Sequence, residues 1–245
     1  MSRSPLDAPA APPGRISRTL IRLLMKQARI TAVDRIGRHA RVLTLESEAF
    51  REVAWQPGQK LQVAMGSAFV ARTYTPMTWD AAVGRTQLLG FSHGGGPGSA
   101  WLLGAVAGDA CHVFGPRPAV DPGRTGAVCV LVGDETSIAL AQALARHGTV
   151  PVQCLLEVDD AQSAHAVLGH LGLTGVEVHA RQPHEAHWAA MEPRLRALAG
   201  SDATFVLTGK AATVQHLRRV LKALGVATAR IAAKPHWAPG RTGMD

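Results

Sequence analysis

The chain has 245 residues, 47% of them hydrophobic, which is enough for one large or two ordinary globular domains. Its 26 Lys and Arg against 18 Asp and Glu give a formal charge of +8, so we expect an anionic partner. Nucleic acid is disfavoured because the basic residues are scattered, only 4% of residues are aromatic and no nucleic-acid-binding motif is present. The sequence also lacks a long apolar run and a secretory signal, and we therefore expect a cytoplasmic protein without a membrane span.

The first part of the chain predicts a disordered tail followed by a β-rich region. Residues 1–17 are rich in Pro, Ala and Ser, a composition that buries too little apolar surface to become ordered. A short amphipathic helix is predicted over 19–26. The strands that follow are short and separated by glycine and proline, which is typical of a small antiparallel barrel or sandwich. They are predicted over 28–35, 39–46, 60–65, 69–75, 86–91 and 110–114.

One of these strands carries a cation and an aromatic ring on the same face. Arg72 and Tyr74 alternate with Thr73 and Thr75, and Pro76 is expected to end the strand because it has no N–H group. A guanidinium can bind a phosphate with two hydrogen bonds, while a phenol ring offers a flat apolar surface. The pair would suit an aromatic cofactor with a phosphate tail. The alternative is an exposed strand arginine beside a half-buried tyrosine.

A glycine-rich segment, His93-Gly-Gly-Gly-Pro-Gly-Ser99, joins a strand to an apolar helix that is predicted to begin near Ser99. Free N–H groups at such a helix start, together with the helix dipole, favour a pyrophosphate. The segment follows an antiparallel strand and is therefore not a Rossmann fingerprint. The alternative is a flexible hairpin loop in which Ser99 only caps the helix.

Beyond a linker at 121–126, strands and helices alternate, which predicts a doubly wound sheet of five parallel strands. The predicted strands are 127–132, 152–158, 176–180, 203–207 and 228–232. The predicted helices are 137–147, 161–171, 185–199 and 211–224. The expected domains are therefore residues 18–124 and 125–245.

Ligands of such sheets lie at the carboxyl ends of the strands, where the loops 133–136 and 208–210 fall. Asp159 and Asp160 end the second strand of this half. An acid there can bind a ribose hydroxyl and would repel a 2′-phosphate, which favours NADH over NADPH. Acids that are merely exposed in a loop are an equally good interpretation.

No metal site is predicted. The cysteines Cys111, Cys129 and Cys154 are far apart in sequence and lack a C-x-x-C spacing, so we expect buried free thiols. His184 and His187 are one residue too close to share one helix face as metal ligands do in H-E-x-x-H.

Five segments, in this order, resemble the siderophore-interacting protein family, also called ferric-siderophore reductases, of the ferredoxin-reductase-like flavoproteins. They are Arg72-Thr-Tyr-Thr75, His93 to Trp101, Gly108 to Arg117, Val132-Gly-Asp-Glu-Thr136 and Lys234 to Gly240. The resemblance extends from about Ile30 to the end of the chain. It implies an N-terminal FAD-binding β-barrel domain and a C-terminal α/β domain of the NAD(P)H-binding kind.

The resemblance also implies roles for individual residues. The implied cofactor-binding residues are Arg72, Thr73, Tyr74, Thr75, His93, Gly96, Gly98, Ser99, Ala100, Trp101, Gly133, Asp134, Glu135, Thr136 and Trp237. Thr75 is the implied catalytic residue, through a hydrogen bond to the flavin edge near N5. The implied substrate-binding residues form a basic rim of Lys60, Lys210, Lys234 and Arg241. The sequence departs from the family at Thr208-Gly209-Lys210, where Lys210 replaces the usual acid.

The implied activity is FAD-dependent transfer of electrons from NADH or NADPH to an anionic ferric siderophore, which then releases Fe(II). Two alternatives remain at this point. One is a flavin reductase that exchanges electrons with a ferredoxin-type partner. The other is a protein that binds a flavin or a ferric chelate without catalysis, an alternative encouraged by Lys210.

Overall fold

A computed structural model describes residues 24–67, 70–122 and 126–240. The predicted tail over 1–17, most of the predicted helix over 19–26 and the substrate-binding candidate Arg241 lie outside these ranges. Lys26, which was predicted to end that helix, instead begins the first strand. No described helix has both the length and the apolar character needed to cross a membrane.

The first half of the chain forms a seven-stranded antiparallel sheet that is barrel-like but does not close. The strand order is β4-β3-β7-β1-β2-β6-β5, which leaves β4 and β5 at the two edges. The strands are β1 (Lys26–Ile36), β2 (Ala40–Glu46), β3 (Gln59–Ser67), β4 (Val70–Tyr74), β5 (Pro76–Asp80), β6 (Arg85–Phe91) and β7 (Ala110–Pro118), and the helix α1 (Pro97–Gly104) lies between β6 and β7.

The strand that carries Arg72 and Tyr74 ends before Pro76, as predicted, but the strand that begins at Pro76 was not predicted. The chain leaves β4 after Tyr74, and Pro76 opens β5, which pairs with β6 at the opposite edge of the sheet. A proline is tolerated as the first residue of an edge strand because no neighbour there requires its missing N–H group.

The second half forms the predicted parallel sheet of five strands, in the order β10-β9-β8-β11-β12. The strands are β8 (Val128–Gly133), β9 (Val152–Val158), β10 (Val176–Ala180), β11 (Ala203–Lys210) and β12 (Ile231–Trp237). The helices are α2 (Ile138–His147), α3 (Ala161–Leu171), α4 (Trp188–Ala199) and α5 (Ala211–Ala223). The last strand starts three residues later than predicted and continues to Trp237. Its last residues, Pro235 to Trp237, pair with the carboxyl end of β11.

Helices cover both faces of this sheet, as its double winding requires. Apolar residues of α4 and α5 pack with Val130, Val132 and Phe205 on one face. On the other face, α2 packs with Cys129, Leu131 and other side chains that alternate with the first set. The prediction for the cysteines is confirmed, because Cys111, Cys129 and Cys154 are all buried and unpaired.

The two sheets share a hydrophobic cluster, so their relative position is set by packing. Residues Ile36, Val42, Met77 and Leu89 of the antiparallel sheet contact apolar residues of α2, α3 and β9 in this cluster. Because α2 packs directly against β5, the strand that the sequence failed to predict takes part in the contact between the two sheets.

Candidate functional site

The start of α1 is a helix terminus that the chain leaves without a side-chain cap. Its N-cap residue is Gly96, with a φ of +131°, and no side chain in the described part of the chain makes a capping hydrogen bond there. A Cβ atom placed on Gly94, Gly95 or Gly96 would meet nothing within 4 Å. The amide groups of the first turn therefore keep their hydrogen-bonding capacity for a ligand.

Arg72 of β4 lies against this helix start. A Cβ atom on Gly98 would stand 3.0 Å from Cγ of Arg72, so a glycine is what allows the arginine to pass so close. Nη1 of Arg72 donates to the Ala71 carbonyl at 2.8 Å, and the side chain is half-buried. A guanidinium and a helix N-terminus converge here, and both favour negative charge.

Tyr74 lies beside Arg72 and provides an apolar wall. Its ring centroid is 5.8 Å from that of Trp101 on α1, with the planes tilted by 48°. Burial raises the pKa of Tyr74 to about 12, and the nearby Arg72 only partly opposes this. The phenol is therefore neutral at physiological pH and offers its ring as a contact surface.

The other predicted residues of this domain lie around that cluster. Thr75 is half-buried in the one-residue gap between β4 and β5, and Ser99 is half-buried in the first turn of α1. His93 is exposed and stacks on Phe91 at 6.2 Å, whereas Ala100 and Thr73 are exposed. The structure thus brings together Arg72, Tyr74, Gly98 and Trp101, and it places His93 and Ala100 nearer the solvent.

The turn after β8 is closed by its own side chains. Asp134 is fully buried, and its Oδ1 accepts a hydrogen bond from the Thr136 N–H at 2.9 Å. The Ser137 hydroxyl accepts from the Asp134 N–H at 3.3 Å, which completes a capping box of the 3-10 turn Glu135–Ser137 that leads into α2. The indole N–H of Trp237 donates to the second oxygen of Asp134 at 2.7 Å.

Arg181, directly after β10, is surrounded by carboxylates. Its guanidinium lies 2.6 Å from Asp159, 2.9 Å from Glu135, 3.6 Å from Asp134 and 3.7 Å from Glu157. Burial raises the pKa of Glu135, and Arg181 opposes that rise. Burial also disfavours the charge on Arg181, but the carboxylates raise its pKa overall. The guanidinium is thus the shared counter-ion of the group.

A second part of the same edge is built on Glu157, which is fully buried in β9. Its carboxylate lies 2.7 Å from Nε2 of His187 and accepts hydrogen bonds from Trp188 at 3.3 Å and Thr213 at 2.8 Å. Ligand atoms of Glu157, Glu185 and His187 lie within 4.8 Å of one another. Each has a protein partner, since Glu185 pairs with Lys210, so the predicted lack of a metal stays a prediction.

The predicted basic rim is only partly assembled. Lys60 of β3 is buried, and Lys234 of β12 is half-buried. Burial lowers the pKa of His236, Asp134 opposes this, and the two lysines lower it further. Nδ1 of His236 lies 2.9 Å from the Thr136 hydroxyl. Lys210 lies apart from this group, in its ion pair with Glu185.

The sequence-based interpretation missed three residues of this region: Arg181, Glu157 and His236. Arg181 follows a predicted parallel strand at its carboxyl end, so the position rule used for Gly133 to Thr136 would have identified it. Glu157 lies within an otherwise apolar strand, and an acid in such a strand is a signal because buried charges are paired. His236 is part of the terminal segment on which the family resemblance rests.

Comparisons with known proteins address the chain as a whole. Residues 13–120 match the family model described as the siderophore-interacting FAD-binding domain, and residues 127–240 match the model described as siderophore-interacting protein. Among curated proteins, none matches the sequence.

Solved structures share the fold at low identity. A siderophore utilization protein from T. fusca is 22% identical, with a TM-score of 0.69 over 90% of this chain and 95% of that chain. The siderophore-interacting protein SipS from Aeromonas hydrophila is 20% identical, with a TM-score of 0.70 over 89% and 93%. The ferredoxin reductase in carbazole 1,9a-dioxygenase is 18% identical, with a TM-score of 0.70 over 87% and 69%. Since the two family models together span nearly the whole chain, the protein belongs to the siderophore-interacting protein family.

Proposed function

We propose that this protein is an FAD-dependent reductase that passes electrons to a ferric siderophore and so releases Fe(II). The observation that carries the proposal is the site formed by Arg72, Tyr74 and the uncapped start of α1, in a segment that matches the family's FAD-binding domain. We also propose the domain boundaries expected from the sequence, with residues 18–124 as the FAD-binding domain and 125–245 as the α/β domain.

The residues at this site fit FAD. Arg72 and the first-turn amides of α1 would bind the pyrophosphate, since a guanidinium and a helix N-terminus both favour anions. The open space over Gly94, Gly95 and Gly96 lets a phosphate approach the backbone. Tyr74 and Trp101 would flank the ring system, and Thr75 would hydrogen-bond the flavin edge.

When bound, a flavin accepts two electrons and can release them singly, as the reduction of Fe(III) to Fe(II) requires. The chain itself then has to bind and orient the flavin and to attract the ferric chelate. Lys60 lies in β3 of the first sheet and Lys234 in β12 of the second. Together with the formal charge of +8, they favour the approach of an anionic chelate. The sequence predicts NADH, NADPH or a reduced ferredoxin as the electron donor.

An anaerobic experiment that bypasses the natural donor tests the proposal. The purified protein is loaded with FAD, reduced with dithionite and mixed with a ferric catecholate or hydroxamate chelate. We expect the flavin absorbance to return while a ferrous-specific chelator traps Fe(II). The iron-free siderophore is the control and should leave the flavin reduced. A protein that does not bind FAD, or whose reduced flavin reacts no faster than free reduced FAD, would refute the proposal.

A further inference from the structure

We infer that the outer face of α4 and α5 is a docking surface for an anionic lipid bilayer, held by charge and without insertion into the acyl chains. The inference goes beyond the proposed function and stands or falls independently of it, because it concerns a surface and not the redox reaction. It rests on basic side chains that are scattered along the sequence and that the fold collects on one face.

The two helices form a single rigid surface. Apolar residues of both pack on the same side of the parallel sheet. Between the helices, Nε2 of His216 on α5 lies 2.8 Å from the carboxylate of Glu192 on α4. The His216 ring also stacks on Trp188 of α4, with the ring centroids 4.1 Å apart and the planes 13° apart. Because the side chains of the two helices interlock, their outer sides act together.

The exposed positions of this face carry positive charge alone. The basic residues there are Arg194, Arg196, Arg218, Arg219 and Lys222, and the other exposed residues of the two helices are Ala, Pro and Gln. The one acid of the two helices, Glu192, is half-buried and lies against His216. Of the five basic residues, only Arg194 has an ion-pair partner within the described part of the chain, the exposed Glu177 at 2.9 Å.

On α5 the charges form a stripe with room for a phosphate group. Gln215, Arg218, Arg219 and Lys222 follow one another at the spacing i, i+3, i+4 and i+7, and they line one open recess. Nε of Arg219 donates to the Gln215 carbonyl at 3.4 Å, which holds this side chain against the helix. A guanidinium can bind phosphate oxygens with two hydrogen bonds, so the recess suits a phospholipid headgroup.

The neutral residues of the face favour a bilayer over a protein partner. Specific protein interfaces are centred on aromatic and other large side chains, and helices that insert into a bilayer carry Trp, Phe or Leu on the inserted side. Here the exposed neutral residues are only Ala, Pro and Gln. Adsorption to anionic headgroups needs charge alone, and each Lys or Arg near the surface strengthens it roughly fivefold.

The face also points away from the antiparallel sheet. Helix α2 packs against β5 and β6, and α3 packs against β1, whereas α4 and α5 cover the other side of the parallel sheet. A bilayer at α4 and α5 therefore lies away from the sheet that carries Arg72 and Tyr74.

The test sediments the FAD-loaded full chain with vesicles of phosphatidylcholine that contain about one third phosphatidylglycerol. At an ionic strength of about 0.02 M, the protein should bind these vesicles roughly 100-fold more strongly than vesicles of phosphatidylcholine alone. Screening should abolish the binding at about 0.5 M salt. No preference for the anionic vesicles at low salt would overturn the inference.

A matched pair of double variants locates the surface. Arg218→Gln with Lys222→Gln removes two charges from α5, whereas Arg35→Gln with Arg38→Gln removes two exposed charges at the end of β1 and in the turn after it. Both lower the formal charge from +8 to +6. The first should weaken vesicle binding roughly 25-fold, and the second should change it by less than about twofold. Retained FAD absorbance shows that each variant is folded. Equal losses would mean that net charge governs the binding, and the inference would fail.

Two soluble polyanions decide the occupant. A short DNA duplex and poly-glutamate are each added to the vesicle-bound protein, at the same concentration of negative charges as the lipid supplies. The protein should stay on the vesicles, because two helices side by side present all their charges to a plane but only some of them to a cylinder or a flexible chain. Displacement by the duplex that depends on Arg218 and Lys222 would make the face a nucleic-acid surface. The same result with poly-glutamate would make it a protein-binding surface, and either result would overturn the assignment to lipid.

Discussion

Two of the helix starts that follow a strand, those of α1 and α2, are finished in opposite ways. The start of α1 has glycine as its N-cap, no side-chain cap and open space over the glycines before it. The 3-10 turn Glu135–Ser137, which leads into α2, has Asp134 as its N-cap, a capping box, and a tryptophan and an arginine close to the same carboxylate. Both termini carry the same partial positive charge from the helix dipole.

The difference shows that a helix terminus is available to an anion only where the chain has not satisfied it. Glycines cannot cap with a side chain, so α1 keeps its donors for a phosphate, with Arg72 beside it. At the turn before α2 the N–H group of Thr136 already donates to the carboxylate of Asp134. The four predictions below test this contrast.

The largest effect is expected for Arg181→Ala, which leaves buried carboxylates without their cation. Breaking a buried ion pair in this way costs about 3–5 kcal/mol, and we expect a loss of this size in the free energy of unfolding measured by urea denaturation. The control is Arg194→Ala, which removes an ion pair with Glu177 that is about half exposed. It should cost less than about 1 kcal/mol. Equal losses would mean that Arg181 is not the counter-ion of the cluster.

At the open helix start, Arg72→Ala should weaken FAD binding and leave folding largely intact. Loss of a charge-assisted hydrogen bond of about 1.5–3 kcal/mol corresponds to roughly a 10- to 100-fold higher dissociation constant. The quenching of flavin fluorescence on titration of the apoprotein measures this dissociation constant. Arg85→Ala is the control, because Arg85 forms an exposed pair with Glu46 in the same sheet and should not affect the flavin. An unchanged affinity in Arg72→Ala would remove the main support for the proposed FAD site.

Trp237→Phe removes one indole N–H group from the buried Asp134 carboxylate. We expect a loss of about 1.5 kcal/mol in the free energy of unfolding, the lower end for a hydrogen bond to a charged group. In Trp79→Phe the lost bond goes to the neutral Phe50 carbonyl at 3.2 Å, and the loss should be smaller. If the order of the two losses were reversed, Trp237 would not close the edge of the parallel sheet through Asp134.

The smallest effect is spectroscopic and concerns Tyr74, the one tyrosine of the chain. Its pKa is raised to about 12 in the folded protein against an ordinary value of 10.0. The folded state therefore holds the proton more tightly, and the stability linked to this residue falls as the pH rises from about 10 to about 12. Tyrosinate absorbance in native and urea-unfolded protein reports the two titrations separately. A native titration near pH 10 would show that the ring is not buried beside Arg72.

Local patterns were sufficient wherever an element is specified by its own residues. The bounds of β9, α3 and β10 agree with the prediction. The apolar runs, the helical spacing and the flanking glycines that specify these elements are all local in sequence. The family and both domain folds also follow from short motifs that are contiguous in sequence. The strand β5 was missed because its partner, β6, lies further along the chain, and an edge position alone makes Pro76 acceptable.

By itself, then, the sequence determined the two sheets, the glycine-rich helix start and the arginine and tyrosine that accompany it. Only the tertiary structure decided that Arg181 would join four carboxylates, that Trp237 would close over Asp134 and that His236 would reach Thr136. The physical reason is distance along the chain. A helix cap is settled by residues within one turn, whereas the charge balance at a sheet edge depends on loops that only folding brings together.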